Sequence, residues 1–116
     1  MTLDAELIMT LHVQCENPME VKNDGSGYLR VIPIIGGSFE GKVDGIIVPG
    51  GADWNTTRDN GVGYAFAKYL LKTNDGEYIA IENVGHIGMN EDDRIKTSPT
   101  FQADHTGQYA WLNSGV

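Results

Sequence analysis

The sequence predicts an all-β fold formed by a single domain over residues 1–116, an antiparallel β-barrel or, as the alternative that the same pattern allows, a β-sandwich. Three observations lead to this expectation. Short segments rich in strand-forming residues recur about seven times, glycine-rich turns separate them, and no segment has a convincing helical period. The chain contains 15 glycines, well above average usage, which suits tight turns and close backbone approach.

The first strand is predicted at residues 9–15, where apolar and polar residues alternate, with one face formed by Met9, Leu11, Val13 and Cys15. Asn17-Pro18 ends this strand. Residues 23–27 have the composition of a flexible loop. Residues 28–35 are again rich in strand formers, and Pro33 indicates an edge or a bulge.

Glycines punctuate the next part of the chain. Gly36-Gly37 is predicted to turn the chain into a strand region over residues 38–48, in which Gly41 and Gly45 mark bends of the kind found at barrel corners. Pro49-Gly50-Gly51 is predicted to end that region, and residues 53–61 to form a loop.

A hairpin is the clearest local signal. Residues 64–73 contain good helix formers, but we predict a strand, because Asn74-Asp75-Gly76 is a strong turn signal and residues 77–84 form a β-rich partner of similar length.

The C-terminal part of the chain has weaker signals. Residues 85–96 have the composition of a polar loop, residues 97–102 are predicted as a short edge strand, and residues 109–116 as a final strand.

Composition excludes several classes of function. The formal net charge of −8 disfavours binding to nucleic acid and docking on anionic membranes. The N-terminus does not resemble a signal peptide, and Cys15 is the single cysteine, which fits a cytoplasmic protein without an internal disulfide. The three histidines lack metal-ligand spacing. We therefore expect neither a metal nor a cofactor.

Five motifs, in order along the chain, resemble one known family: Gly36-Gly37-Ser38-Phe39-Glu40-Gly41, Pro49-Gly50-Gly51-Ala52-Asp53-Trp54, Thr73-Asn74-Asp75-Gly76, Ser98-Pro99-Thr100-Phe101 and Tyr109-Ala110-Trp111-Leu112-Asn113. The family is DUF3237, also known as UPF0311, a bacterial and fungal family of uncharacterised proteins. The resemblance implies a small calycin-like or cyclase-like barrel that is often oligomeric and has no agreed activity. Some similar fungal proteins are thought to close rings in small secondary metabolites.

The chain departs from this family pattern at two places. The family usually carries an acid and an arginine, two residues apart, before a tyrosine; here those positions resemble Phe66 and Lys68, and Tyr69 is kept. The loss of the acid weakens any acid–base role implied by the resemblance. The family also continues past the Trp-Leu-Asn motif, whereas this sequence stops at Val116, so we expect either a chain truncated at the C-terminus or an open barrel that a partner completes.

The hairpin register decides where one charged pair lies. A three-residue loop at Asn74-Asp75-Gly76 would place Lys68 opposite Glu82, whereas a two-residue turn would place Lys68 opposite Asn83. Lys68 and Glu82 could then be a ligand-anchoring ion pair inside a lumen. They could equally be a cross-strand pair on a solvated face, because the alternate residues offer an apolar set of their own: Tyr69, Leu71, Ile79 and Ile81.

Two carboxylates are the candidate acid–base groups. Glu40 lies beside Phe39, and Asp53 beside Trp54, and desolvation by an aromatic ring can raise a carboxyl pKa into the range of a general acid. Trp54 and Tyr69 are the candidate walls of a pocket. The structural alternative is that Asp53 caps a turn and Trp54 closes the barrel end.

Two hypotheses of function follow. The first is a small-molecule-binding barrel, or a cofactor-free enzyme that catalyses proton transfer such as cyclisation or isomerisation. The second is a non-catalytic module that forms a homo-oligomer through an open sheet edge.

Overall fold

The structure is a computed structural model that describes residues 8–87 and 96–114. It contains seven antiparallel strands in these residues and one short 3₁₀ helix, η1. The strands are β1 (Met9–Cys15), β2 (Met19–Asn23), β3 (Tyr28–Gly41), β4 (Gly45–Thr57), β5 (Gly63–Thr73), β6 (Tyr78–Ile87) and β7 (Lys96–Gln102), and η1 spans Ala110–Ser114. The all-β prediction is confirmed.

All seven strands form one sheet in the order β1-β3-β4-β5-β6-β7, with β2 paired to the other end of the long strand β3. Within the described residues the sheet does not close on itself. The predicted antiparallel barrel is therefore open within the described residues.

One face of the sheet, here called the inner face, holds the core. Ile47, Leu71, Ile79, Ile81 and Leu112 are almost completely buried and pack together on this face. Leu112 belongs to η1, so the short helix covers one end of the inner face. The opposite side, here called the outer face, carries exposed apolar side chains that include Ile46, Trp54, Leu70 and Tyr78.

The hairpin prediction is confirmed in its detail. Residues 64–73 lie in β5 and form no helix. The Thr73 and Glu77 backbones are hydrogen-bonded across a three-residue loop in which Gly76 has a φ of 93°. This loop places Lys68 opposite Glu82, the first of the two registers considered.

Two predicted breaks are instead bulges inside continuous strands. β3 passes through Gly36-Gly37, where its register with β4 shifts between Ile34 and Ser38. A Cβ atom on Gly37 would lie 2.1 Å from the His12 carbonyl oxygen, so these glycines allow close approach of β1 and do not turn the chain. Likewise β4 continues through Pro49-Gly50-Gly51 with a register shift and extends to Thr57, so the predicted loop at residues 53–61 is wrong over its first half.

The ends of the chain also differ from prediction. β2 was not predicted: Met19 and Val21 alternate with Glu20 and Lys22, but the segment is five residues long and all of them are exposed. The segment from Tyr109 is not a strand: the Asn113 side chain bonds the Ala103 backbone amide and carbonyl at 2.7 and 2.8 Å, and these bonds hold the helical turn against the sheet. β6 continues to Ile87, and the rest of the predicted loop, residues 88–95, lies outside the described residues.

Candidate functional site

A polar group on the inner face is the candidate site. Asp53 on β4 and Asn83 on β6 are both Cα partners of Ala67 on β5. Residues directly opposite in antiparallel strands point to the same side, and Ala67 packs against the core. Asp53 and Asn83 therefore lie on the inner face, on either side of an alanine.

Tyr69 and Arg30 extend this group. Tyr69 follows Ala67 by two residues and so shares its face, and it is 6% exposed. Arg30 precedes Ile32, the Cα partner of Asp53, by two residues and points to the same side. The inner face thus carries two side chains that were predicted as site residues, Asp53 and Tyr69, and two that were not, Arg30 and Asn83.

Small, buried residues lie beside these groups. Ala65 lies opposite Gly85, one row from Ala67, so the middle of β5 and β6 presents no side chain larger than a methyl group there.

Three buried polar atoms of this group have no hydrogen-bond partner within the described part of the chain: Arg30 Nε, Asp53 Oδ1 and Asn83 Oδ1. Most buried polar atoms in folded proteins are paired, and an unpaired one costs about 1–3 kcal/mol. The candidate site therefore carries three polar atoms whose burial the described residues do not offset with a hydrogen bond.

The electrostatics of the group favour neutral forms. Burial raises the pKa of the Asp53 carboxyl, and a hydrogen bond from the Phe66 backbone opposes part of that rise. Burial also raises the pKa of the Tyr69 hydroxyl; a hydrogen bond with Asn83 lowers it, while the nearby Cys15 and Asp53 raise it further. The pKa of the exposed Cys15 thiol is likewise raised, first by desolvation and then by the charge of Asp53.

The other predicted site residues lie elsewhere. Lys68 and Glu82 face each other on the outer face, where they line a surface cavity of about 250 Å³ together with Ala80, Thr100 and Gln102. Lys68 is exposed, and no ion pair joins it to Glu82 in the described structure. The lumen interpretation of this pair is therefore wrong, because strand alternation places the buried apolar set, including Tyr69 and Ile81, on the opposite side.

Glu40 and Trp54 also lie away from the inner group. Trp54 is 51% exposed on the outer face, so it is not a wall of the inner site. Glu40 is exposed and accepts a hydrogen bond from His12 at 2.9 Å. Its neighbour Phe39 is buried, and alternation turns the Glu40 carboxylate to solvent.

Neither a metal-binding cluster nor a membrane-spanning helix is found in the described part of the chain. Residues 8–87 and 96–114 contain no group of three or more His, Cys, Asp or Glu side chains that could hold a metal ion. No helix in that same part of the chain is long and apolar enough to cross a lipid bilayer.

The sequence contains a signal for both Arg30 and Asn83 as inner-face residues, namely their spacing from apolar residues along a strand. Asn83 follows Ile79 and Ile81 at strand spacing, so it belongs to their face once that face is identified as the core. Arg30 is a charged residue inside an apolar strand segment, and strand alternation assigns it to the same face as Ile32 and Ile34.

Comparison with known proteins agrees with the fold. The family model "protein of unknown function (DUF3237)" matches residues 3–96. A UPF0311 protein of Bradyrhizobium diazoefficiens is 32% identical over 126 aligned residues, which cover 96% of this chain and 82% of the relative.

Three solved structures are similar over most of the chain. A protein of unknown function from Clostridium acetobutylicum has a TM-score of 0.84 at 28% identity and covers 92% of this chain and 81% of its own. A β-barrel-like protein from Acinetobacter baumannii has a TM-score of 0.71 at 25% identity. The alignment covers 96% of this chain and 85% of that protein. An enzyme from Penicillium herquei has a TM-score of 0.77 at 21% identity, and the alignment covers 93% of this chain and 75% of the enzyme. At this identity the similarity shows only that the two proteins share a fold. The family match and the curated relative together show that this chain belongs to the DUF3237 (UPF0311) family of proteins of unknown function.

Proposed function

We propose that this protein binds a small organic molecule on its inner face and catalyses a proton transfer on it, such as a ring closure or an isomerisation. The observation that carries the proposal is the partly buried Asp53 carboxyl, which lies on the inner face opposite Ala67 and beside the Tyr69–Asn83 pair. The Penicillium herquei protein of the same fold is an enzyme, which is consistent with catalysis on this scaffold.

The chemistry assigns one role to each group. A carboxylate whose pKa is raised by burial is a stronger base than one in water and can remove a proton from a hydroxyl or an activated carbon. The Tyr69 hydroxyl, hydrogen-bonded to Asn83, can return a proton elsewhere on the same molecule. A proton removed and a proton returned leave the substrate isomerised. The step leaves Asp53 protonated and Tyr69 deprotonated, so transfer of one proton from Asp53 to Tyr69, directly or through solvent, restores both groups for the next turnover.

Ring closure of 2′-hydroxychalcone to flavanone is a suitable test. In this isomerisation the phenolic oxygen bonds to the β-carbon of the enone, and the phenolic proton is replaced by one at the α-carbon. Loss of the chalcone absorbance measures the rate above the uncatalysed reaction.

We expect the wild-type chain to accelerate this reaction and Asp53→Asn to lower the rate at least about tenfold, since general-base catalysis contributes about 10²–10⁴-fold. Asp59→Asn, in an exposed loop, is the matched control and should keep the wild-type rate. Equal rates for Asp53→Asn and the wild type would remove Asp53 from the site.

A second candidate function is self-association, proposed because the outer face exposes large apolar side chains and the sheet has open ends. Trp54 and Tyr78 are each more than half exposed, and β1 and β7 each pair along one side alone within the described strands. Unpaired strand edges and apolar patches are both surfaces that another copy can cover. Light scattering tests this function: a strict monomer at all concentrations would contradict it.

A further inference from the structure

We infer that two copies of this chain meet through the outer face of the sheet, about a two-fold axis that runs along the strands between β5 and β6. The inference rests on self-association, the second candidate function proposed above, and it names the surface that forms the contact. A contact between faces differs from edge pairing, in which β1 or β7 would add to the sheet of a second copy.

A continuous row of apolar side chains crosses the outer face. The Cα partners along this row, one from each of the strands β2 to β6, are Met19, Val31, Trp54, Phe66 and Val84. Directly opposite residues of antiparallel strands point to the same side, so these side chains form one band. Four strand spacings of about 4.8 Å make the band roughly 19 Å long. Met19 is 57% exposed and Trp54 is 51% exposed, so the described residues leave both ends of the band open to solvent.

Neighbouring rows extend this band into a patch, here called the outer patch. The next row contains Ala52, Lys68, Glu82 and Thr100 as Cα partners, and beyond it lies the exposed Leu70. Rows on one face are about 6.8 Å apart along a strand, so the patch covers on the order of 400 Å² in projection. Accessible surface is larger than its projection, and two such patches in contact bury on the order of 1,000 Å², the size of a weak, reversible protein interface.

Charge favours a second copy as the molecule that covers the outer patch. The chain has a formal net charge of −8, so two copies repel each other over most of their surface. The outer patch carries one charge of each sign, Lys68 and Glu82, and no ion pair joins these Cα partners in the described structure. An isologous two-fold contact uses this arrangement, because each copy supplies the opposite charge to the other.

The two charges also determine where the axis lies. A two-fold axis parallel to the strands and midway between β5 and β6 places each residue of β5 over the β6 residue that is its Cα partner, on the other copy. Lys68 of each copy then faces Glu82 of the other, and Phe66 faces Val84. An axis centred on β5 or on β6 would set two lysines or two glutamates against each other, which is repulsive.

Analytical ultracentrifugation of the full chain tests the charge contacts. The wild type should show a reversible monomer–dimer equilibrium. Lys68→Glu opposes two carboxylates at each contact and Glu82→Lys opposes two ammonium groups, so each should raise the dimer dissociation constant at least roughly tenfold. The double variant carrying both reversals restores both pairs and should return the constant to within about threefold of the wild type. Arg58→Glu and Asp59→Lys, in an exposed loop, change the net charge equally and are the matched controls.

The apolar band has a test of its own. Trp54→Gln removes the large aromatic side chain of the band and should also raise the dissociation constant at least roughly tenfold, because buried tryptophans are common hot spots of interfaces. Trp111→Gln is the matched control: this tryptophan is 40% exposed but lies in η1, outside the outer patch, and its replacement should leave the constant unchanged.

The outcomes separate the outer patch from the self-association on which it rests. A strict monomer would overturn both and leave the patch to a different kind of partner. A dimer that Lys68→Glu, Glu82→Lys and Trp54→Gln weaken no more than their controls would overturn the outer patch, while self-association through a strand edge would survive. Weakening that the double charge reversal fails to restore would overturn the axis between β5 and β6. Thermal unfolding of each variant confirms that the fold is retained.

Discussion

Replacing the Asp53 carboxylate should stabilise the protein while it removes the proposed base. In the native state the carboxyl is partly buried and its Oδ1 has no hydrogen-bond partner among the described residues. An unsatisfied buried group costs about 1–3 kcal/mol, and more when it is charged. Because Asp53 retains some solvent contact, we expect a gain of about 1–2 kcal/mol for Asp53→Asn at pH 7.

The gain should depend on pH in a defined direction. Burial raises the pKa of Asp53, so the native state holds this proton more tightly than the unfolded state does. The contribution of Asp53 to stability is therefore greatest below its unfolded pKa of about 3.9, and it falls as the pH rises through the unfolded and then the folded pKa. Asparagine does not titrate, so the advantage of Asp53→Asn should be full at neutral pH and vanish in acid.

Thermal unfolding followed by circular dichroism measures this advantage. For a domain of this size, about 1–2 kcal/mol corresponds to a rise in Tm of roughly 4–8 °C. A lower Tm for Asp53→Asn than for the wild type at pH 7 would refute the reasoning, since it would mean that the carboxylate is well solvated or paired in the native state.

Asp75→Asn provides a contrast of opposite sign. Hydrogen bonds from Thr73, Tyr109 and Gln108 lower the pKa of Asp75. Its stabilising effect is therefore present above the unfolded pKa and is lost as the pH falls through the folded pKa. Asp75→Asn should lower Tm at pH 7 and make no difference in strong acid.

Further predictions test the core and the outer face. Leu112→Ala should cost about 2–5 kcal/mol in urea unfolding, because this fully buried side chain attaches η1 to the core; a smaller loss would place η1 outside the folding unit. Gly45→Ala should prevent soluble expression, since its Cβ would lie 2.1 Å from the Lys72 carbonyl oxygen; normal expression would contradict this packing. Lys68→Ala should change stability by less than about 0.5 kcal/mol in the same unfolding assay, and a loss above 2 kcal/mol would indicate a buried pair. Glu40→Gln should retain the full rate of ring closure, and a loss like that of Asp53→Asn would return Glu40 to the site.

Sequence reasoning located the hairpin because its signal is local. Asn74-Asp75-Gly76 specifies a loop length, and the loop length fixes the register of β5 against β6. Which face of that hairpin is buried depends on contacts with β1, β3 and η1, which lie far away in the chain. The sequence therefore predicts the correct cross-strand partner of Lys68, Glu82, but does not determine which face of the sheet the pair lies on.

Bulges explain the errors in β3 and β4. A glycine pair and a Pro-Gly-Gly segment have the composition of turns, and nothing local distinguishes a turn from a bulge that keeps the strand in the sheet. In β3 the deciding fact is the close approach of β1 at Gly37, a long-range contact. The bulge in β4 also separates two parts of that strand, so Asp53 reaches the inner face from a segment that had been predicted as a loop.

Alanine methyl groups offer the most direct test of the central claim, that the ligand site is the inner face around Asp53. Ala65 and Ala67 lie on the inner face, whereas Ala52 and Ala80, as partners of Lys68 and Leu70, lie on the outer face. In a chain labelled at alanine methyls, titration with 2′-hydroxychalcone and NMR detection should shift the Ala65 and Ala67 signals and leave those of Ala52 and Ala80 in place. Shifts confined to Ala52 and Ala80 would contradict the claim and move the site to the outer face.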